Sequence, residues 1–127
     1  MTLIVDGNNV MGSRPDGWWR DRPAAVLRLL ERLQCYAATI DQAVELVLDV
    51  PQRDLAPGEH GGVLVRYATR RGRDAADDRI VELLDAESSA DVEVVTSDRA
   101  LARRARDRGA RVIGAGAFLR QVGDAGC

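Results

Sequence analysis

Lysine is missing from this chain, and histidine, cysteine and aromatic residues are nearly so. All 18 basic residues among the 127 are arginine, set against 20 acids and a single histidine, His60. One histidine and two cysteines, Cys35 and Cys127, match none of the usual zinc-ligand spacings, and two thiols are too few for a disulfide framework. His60 sits in Gly-Glu-His-Gly-Gly, expected to be an exposed loop, so no Ser-His or Cys-His nucleophile pair can be built around it. The chain carries neither a Walker loop nor Gly-x-Gly-x-x-Gly, which removes the commonest phosphate-cradling motifs. No apolar stretch approaches the length of a membrane span, and Met1 to Val5 is too short for a signal peptide. A single cytoplasmic domain with no membrane partner is the expectation.

What is present is a set of hydrophobic runs that lead into acids. Leu3-Ile4-Val5 runs into Asp6, and Leu46-Val47-Leu48 into Asp49. Val63-Leu64-Val65 is followed, after an arginine-rich stretch, by Asp74, Asp77 and Asp78, and Val92 to Val95 leads through Thr96-Ser97 to Asp98. In an open parallel sheet, ligands bind outside the carboxyl ends of the strands, so acids delivered there by separate strands can converge. Carboxylates that converge repel one another unless a cation lies between them, and the pattern points to a divalent-metal site.

The coarse reading alternates strand and helix. Thr2 to Val5, Ala43 to Asp49, Val63 to Tyr67, Val92 to Val95 and Arg111 to Ile113 read as five strands. Asp6-Gly7-Asn8-Asn9 reads as a sharp strand-to-loop turn with Gly7 supplying unusual backbone angles, and residues 12 to 22 as a loop carrying Trp18-Trp19. A helix opens near Pro23, with Val26, Leu29, Leu30, Leu33 and Ala37 at helical spacing. Residues 51 to 62, rich in Pro and Gly, read as a loop. Further helices span about Asp74 to Glu87, Asp98 to Arg108 and Ala115 to Val122, and residues 123 to 127 read as a frayed tail. Strands joined through helices imply right-handed crossovers: a three-layer α/β domain over residues 1 to 122, with helices on both faces of a central parallel sheet of about five strands.

The helix from Asp74 discriminates between neighbouring acids. Ala76, Ile80, Leu83 and Leu84 define its inward stripe; Asp77 falls within that arc and Asp78 points away. An unpaired carboxylate inside an apolar arc is costly, and a metal shared with Asp6 and Asp98 removes that cost. Asp74 also fits ordinary helix capping, Asp98 also fits the positive end of a helix, and Asp49 also fits a turn before Pro51. Neutral Asn8 can add an oxygen ligand or hold a water without adding repulsion. All-oxygen ligation favours Mg²⁺ or Mn²⁺ over zinc. Such a site suits phosphodiester hydrolysis by one ion that activates water and a second that stabilises the leaving oxygen, roughly 3.5–4 Å apart. Arg70, Arg71 and Arg73 run directly into the acids and can hold a phosphate backbone, while Trp18 and Trp19 can stack on unpaired bases.

Three segments in order, Leu3-Ile4-Val5-Asp6-Gly7-Asn8-Asn9-Val10, Arg73-Asp74-Ala75-Ala76-Asp77-Asp78-Arg79-Ile80 and Val94-Val95-Thr96-Ser97-Asp98, resemble an NYN domain of the YacP-like ribonuclease group in the PIN-like superfamily. The resemblance covers about residues 1 to 122. It implies a parallel sheet with the first strand central, an acidic pocket at its carboxyl edge, and metal-dependent endonucleolytic cleavage of RNA. Asp6, Asp77 and Asp98 match the family's metal-binding acids, Asn8 its Asn after the Asp-Gly turn, and Asp74 an acid of the YacP-like branch. RNA is the implied partner, and some members act at the ribosome. Many relatives carry a further acid soon after the Ser-Asp pair; here Arg99 and Ala100 follow, which leaves the fourth ligand open. Two rival readings stand beside this one. The first is a catalytically weak or inactive PIN-like RNA-binding or adaptor module. The second is a phosphatase or receiver-like domain that uses Asp6 or Asp49 covalently.

Overall fold

The alternation of apolar strands and amphipathic helices resolves into one twisted sheet covered on both sides. The structure of the protein, a computed structural model, describes residues 1–86 and 91–127. In chain order the elements are β1 Thr2–Asp6, α1 Gly7–Gly12, α2 Arg22–Ala37, β2 Ala43–Leu48, β3 Gly58–His60, β4 Val63–Tyr67, α3 Ala75–Ala86, β5 Val92–Val95, α4 Arg99–Asp107, β6 Arg111–Ile113 and α5 Ala115–Asp124. The sheet order is β3-β4-β2-β1-β5-β6, with β1 central. β1 pairs in parallel with both β2 and β5, and only the edge strand β3 runs antiparallel. Glu87, expected as the end of the third helix, lies outside the described residues.

Side chains that alternate along each strand divide the interior into two layers. Leu3, Val5, Val44, Leu46, Leu48, Val63 and Val65 face α2 and α5, where they meet Val26, Leu30, Leu33, Phe118 and Val122. Ile4, Val47, Val92 and Val94 face α3 and α4, against Ile80, Leu84, Leu101 and Ala105. Each fully buried aliphatic side chain is worth roughly 1.5–3 kcal/mol of transfer free energy, so both faces hold the sheet between helices. The same period of two decides where Asp6 points. It lies two residues beyond Ile4 and therefore shares the α3–α4 face.

Four expectations are corrected. Asp6-Gly7-Asn8-Asn9 opens the short helix α1 instead of a loop. Gly7 is absent from the positive-φ residues and is required for space: a Cβ there would sit 2.7 Å from Leu48 Cδ2, 2.8 Å from Leu46 Cδ1 and 3.0 Å from the Val47 carbonyl. The loop of residues 51 to 62 contains β3, so the sheet has six strands, and His60 is a half-buried strand residue whose ring Nε2 lies 2.7 Å from the Ala56 carbonyl. Residues 123 to 127 are tied down instead of frayed, because α5 continues to Asp124 and Cys127 forms a disulfide with Cys35 of α2. Arg32 Nε also donates to the Cys127 carbonyl.

The crowding at Gly7 yields a direct expectation. Gly7→Ala forces β1 and β2 apart at their carboxyl ends, since the Val47 carbonyl belongs to the sheet and cannot yield. We expect a loss of about 1–3 kcal/mol in denaturant unfolding, the range for overpacking. An unchanged midpoint would show that the strand end relaxes without cost.

Candidate active site

Four chain segments reach the carboxyl edge of the sheet and deliver acids to one open pocket of about 260 Å³, lined by Asp6, Asn8, Asn9, Asp49, Arg73, Asp74, Asp77 and Asp98 among others. Asp6 is the last residue of the central strand and is 3% exposed. Asp77 stands in the first turn of α3, and Asp98 is the residue that caps α4. Asp74 begins the turn into α3 with φ 63°, a left-handed conformation that aspartate tolerates better than most side chains, and its carbonyl accepts the Asp78 amide.

The electrostatics follow from burial and crowding. The Asp6 carboxyl is raised to about 7, chiefly by burial and also by the charges of Asp77 and Asp98, against the pull of hydrogen bonds from Thr96 and the Asn9 amide. Asp77 is raised to about 6, first by desolvation and then by the charges of Asp98 and Asp74, with Arg104 opposing. Asp6 and Asp77 therefore sense each other and Asp98 as one repelling group.

A hydrogen-bond relay fixes this arrangement. Thr96 Oγ1 donates to Asp6 Oδ2 at 2.9 Å and accepts the Asp98 amide at 3.1 Å. Asp98 Oδ1 in turn accepts the Ala100 and Leu101 amides, which orients its carboxylate at the start of α4. The two asparagines of α1 act as struts. Asn8 Oδ1 accepts the Asp49 amide at 2.9 Å, and Asn9 Oδ1 accepts the Ser97 amide at 2.8 Å. Asn8 thus engages one lone pair of its carbonyl oxygen at the end of β2, which leaves the second lone pair and the amide N–H group for a ligand or a water. Thr96 and Asn9 were not singled out from sequence; a hydroxyl directly before the Ser-Asp pair and a second Asn after the Asp-Gly turn are the signals that could have found them.

Other candidates sort cleanly. Asp78 points away from the pocket and pairs with Arg70 and Arg104, as the helical phase requires. Arg70 is therefore committed to Asp78, whereas Arg73 lines the acidic pocket and Arg71 is exposed beside it. Asp49 lies on the rim but is paired with Arg22. Trp18 and Trp19 do not line the acidic pocket. Trp18 packs on the α2–α5 core and borders a separate cavity with Met11 and Leu29. Trp19 is exposed, edge-on to Trp18 at 6.1 Å, with Arg20 5.9 Å over its ring.

Among the described residues, no three acid, histidine or cysteine side chains are grouped closely enough to make a ready-formed metal cage. The donors still fit a hard dication. They are all oxygen, they come from separate elements, and one of them is a buried carboxylate whose ionisation its neighbours oppose.

The model of the YacP-like NYN domain family matches residues 3–126. The fold is similar to the crystal structure of Rae1 (YacP) from Bacillus subtilis, W164L mutant, with TM-score 0.79 and 25% identity over 98% of this chain and 76% of that one. It is also similar to a second Rae1 (YacP) crystal structure from Bacillus subtilis, with TM-score 0.77 and 24% identity over 98% of this chain and 75% of that one. No curated protein matches significantly. None of the helices among the described residues is long and apolar enough to cross a membrane. With its central β1, its acids at the carboxyl edge and a family match over nearly every residue, the chain belongs to the YacP-like NYN domain family, a family of nuclease type.

Proposed function

We propose that this protein is a metal-dependent endoribonuclease. The observation that carries the reading is Asp6, a carboxylate buried at the end of the central strand and held among Asp77 and Asp98. Asp6, Asp77 and Asp98 would hold Mg²⁺ or Mn²⁺, with Asp74 assisting from the mouth of the pocket. The bound ion supplies an acidified water and charge stabilisation for phosphodiester hydrolysis. The chain's own groups do the rest. Thr96 and the α4 amides orient the carboxylates, the Asn8 amide group holds a phosphate oxygen or water, and Arg73 brings positive charge to a pocket that would otherwise repel RNA.

The absence of a ready-formed cage among the described residues favours one second reading, an RNA-binding module that does not cleave. Incubating labelled single-stranded and structured RNA with Mn²⁺, Mg²⁺ or EDTA separates the two. Fragments that appear with either ion and vanish in EDTA are expected. Intact RNA with both ions, together with affinity unchanged by chelator, would establish the binding module instead.

A further inference from the structure

The arginines of α4 and its C-terminal cap divide into two faces, and among the described residues only one face forms ion pairs. Arg104 and Arg108 point toward α3, where they pair with Asp78 and Asp85. Arg99, Arg103 and Arg106 fall within an arc of about 60° on the other side, at 100° per residue. All three are exposed and none has an ion-pair partner among the described residues. They line a groove of about 570 Å³ between α4 and the edge strand β6, whose floor includes Thr96, Ala102 and Val112. Asp107 is the one acid on its wall. Gly114, which caps α5, opens the positive end of that helix into the same groove.

The groove begins where the acidic pocket ends. Asp98 lines the pocket, and its chain neighbours Ser97 and Arg99 line the groove. From Arg99 to Arg106 the positive stripe extends about 10 Å along the helix. A strand whose scissile phosphate lay among the acids and that continued past Asp98 would meet this stripe of opposite charge. We infer that the α4–β6 groove binds the sugar-phosphate backbone of the RNA strand beyond the cleavage site. This rests on the ribonuclease reading for its occupant, and deepens it by assigning the substrate a path beyond the acids.

The test replaces Arg99, Arg103 and Arg106 together by Gln, a substitution that keeps helix propensity. Binding of a long single-stranded RNA is measured as a function of salt in proteins that also carry Asp6→Asn, so that the RNA survives. Cleavage of the same RNA and of a tetranucleotide is measured with Asp6 intact. Arg108→Gln, which removes one charge from the other face, is the control, set beside the single change Arg103→Gln.

Loss of three phosphate contacts should lower affinity for the long RNA on the order of tenfold or more and make the log–log salt slope shallower by about 2. The KM for the long RNA should rise while kcat on the tetranucleotide stays the same, and Arg108→Gln should do neither. An unchanged affinity and salt slope would overturn the groove. A protein that binds long RNA but cuts nothing with either ion would sink the ribonuclease reading, while the salt slope still decides the groove. A protein that binds no RNA at all would overturn both.

Discussion

Asp6→Asn is expected to abolish RNA cleavage and, above neutral pH, to raise the melting temperature. The first effect follows from position. Asp6 is the buried carboxylate on which Thr96, Asp77 and Asp98 converge, and an amide in its place cannot supply the negative oxygen that a dication needs. The second follows from linkage. Its carboxyl is raised from 3.8 to about 7, so across that window the folded protein holds a proton that the unfolded chain has released. Stability therefore falls as pH climbs from 3.8 toward about 7, and above that the full penalty of burying the charge applies, on the order of 4 kcal/mol at most.

Asparagine removes that penalty while keeping an oxygen to accept from Thr96. In EDTA at pH 8 the variant should melt several degrees above the parent, with the gap narrowing steadily toward pH 4. Asp77, raised to about 6, drives the parent in the same direction. A bound cation would favour the ionised carboxylates and offset the decline. Thermal melts at pH 8 and pH 5, run beside the cleavage assay, check both halves. Undiminished cleavage would refute the role of Asp6, and a lower melting temperature at pH 8 would show that its bond to Thr96 matters more to the fold than its charge costs.

How much of this was legible depends on whether the cause was local. The strands were legible because Leu3 to Val5, Val63 to Val65 and, apart from Glu93, Val92 to Val95 are apolar, mostly β-branched runs that suit a sheet covered on both faces. The choice of Asp77 over Asp78 was legible because helical phase alone separates them. Helix α1 was not, since Gly-Asn-Asn is a poor helix former held by partners more than 40 residues away, at Asp49 and Ser97. Nor was β3: Gly58-Glu59-His60 has little strand propensity and becomes a strand only because β4 offers an open edge. Thr96 escaped notice because a threonine at a strand end is unremarkable until its hydroxyl is seen joining two acids.

The disulfide was hidden for the same reason, and breaking it should cost the fold more than any other change short of the core. Cys35 and Cys127 are 92 residues apart in sequence, and their Cα atoms stand 5.7 Å apart in space. A cross-link closing a loop of that length removes chain entropy from the unfolded state worth up to roughly 4–5 kcal/mol, a large part of the stability of a small domain. Reduction, or Cys127→Ser, should therefore lower the melting temperature on the order of 10 °C. Where the bond lies predicts what it leaves alone. Helix α2 runs back from the carboxyl edge between the parallel strands β1 and β2, and α5 runs back from the end of β6, so Cys35 and Cys127 meet at the amino edge of the sheet. The acids are at the opposite edge. Cleavage per folded molecule should accordingly be the same with and without reductant at temperatures well below the melt, while the fraction folded near the melt should fall. Equal melting curves in both conditions would show that the packing of Phe118 on Tyr36 and the Arg32 bond to the Cys127 carbonyl already fix α5 against α2 without the sulfur bridge.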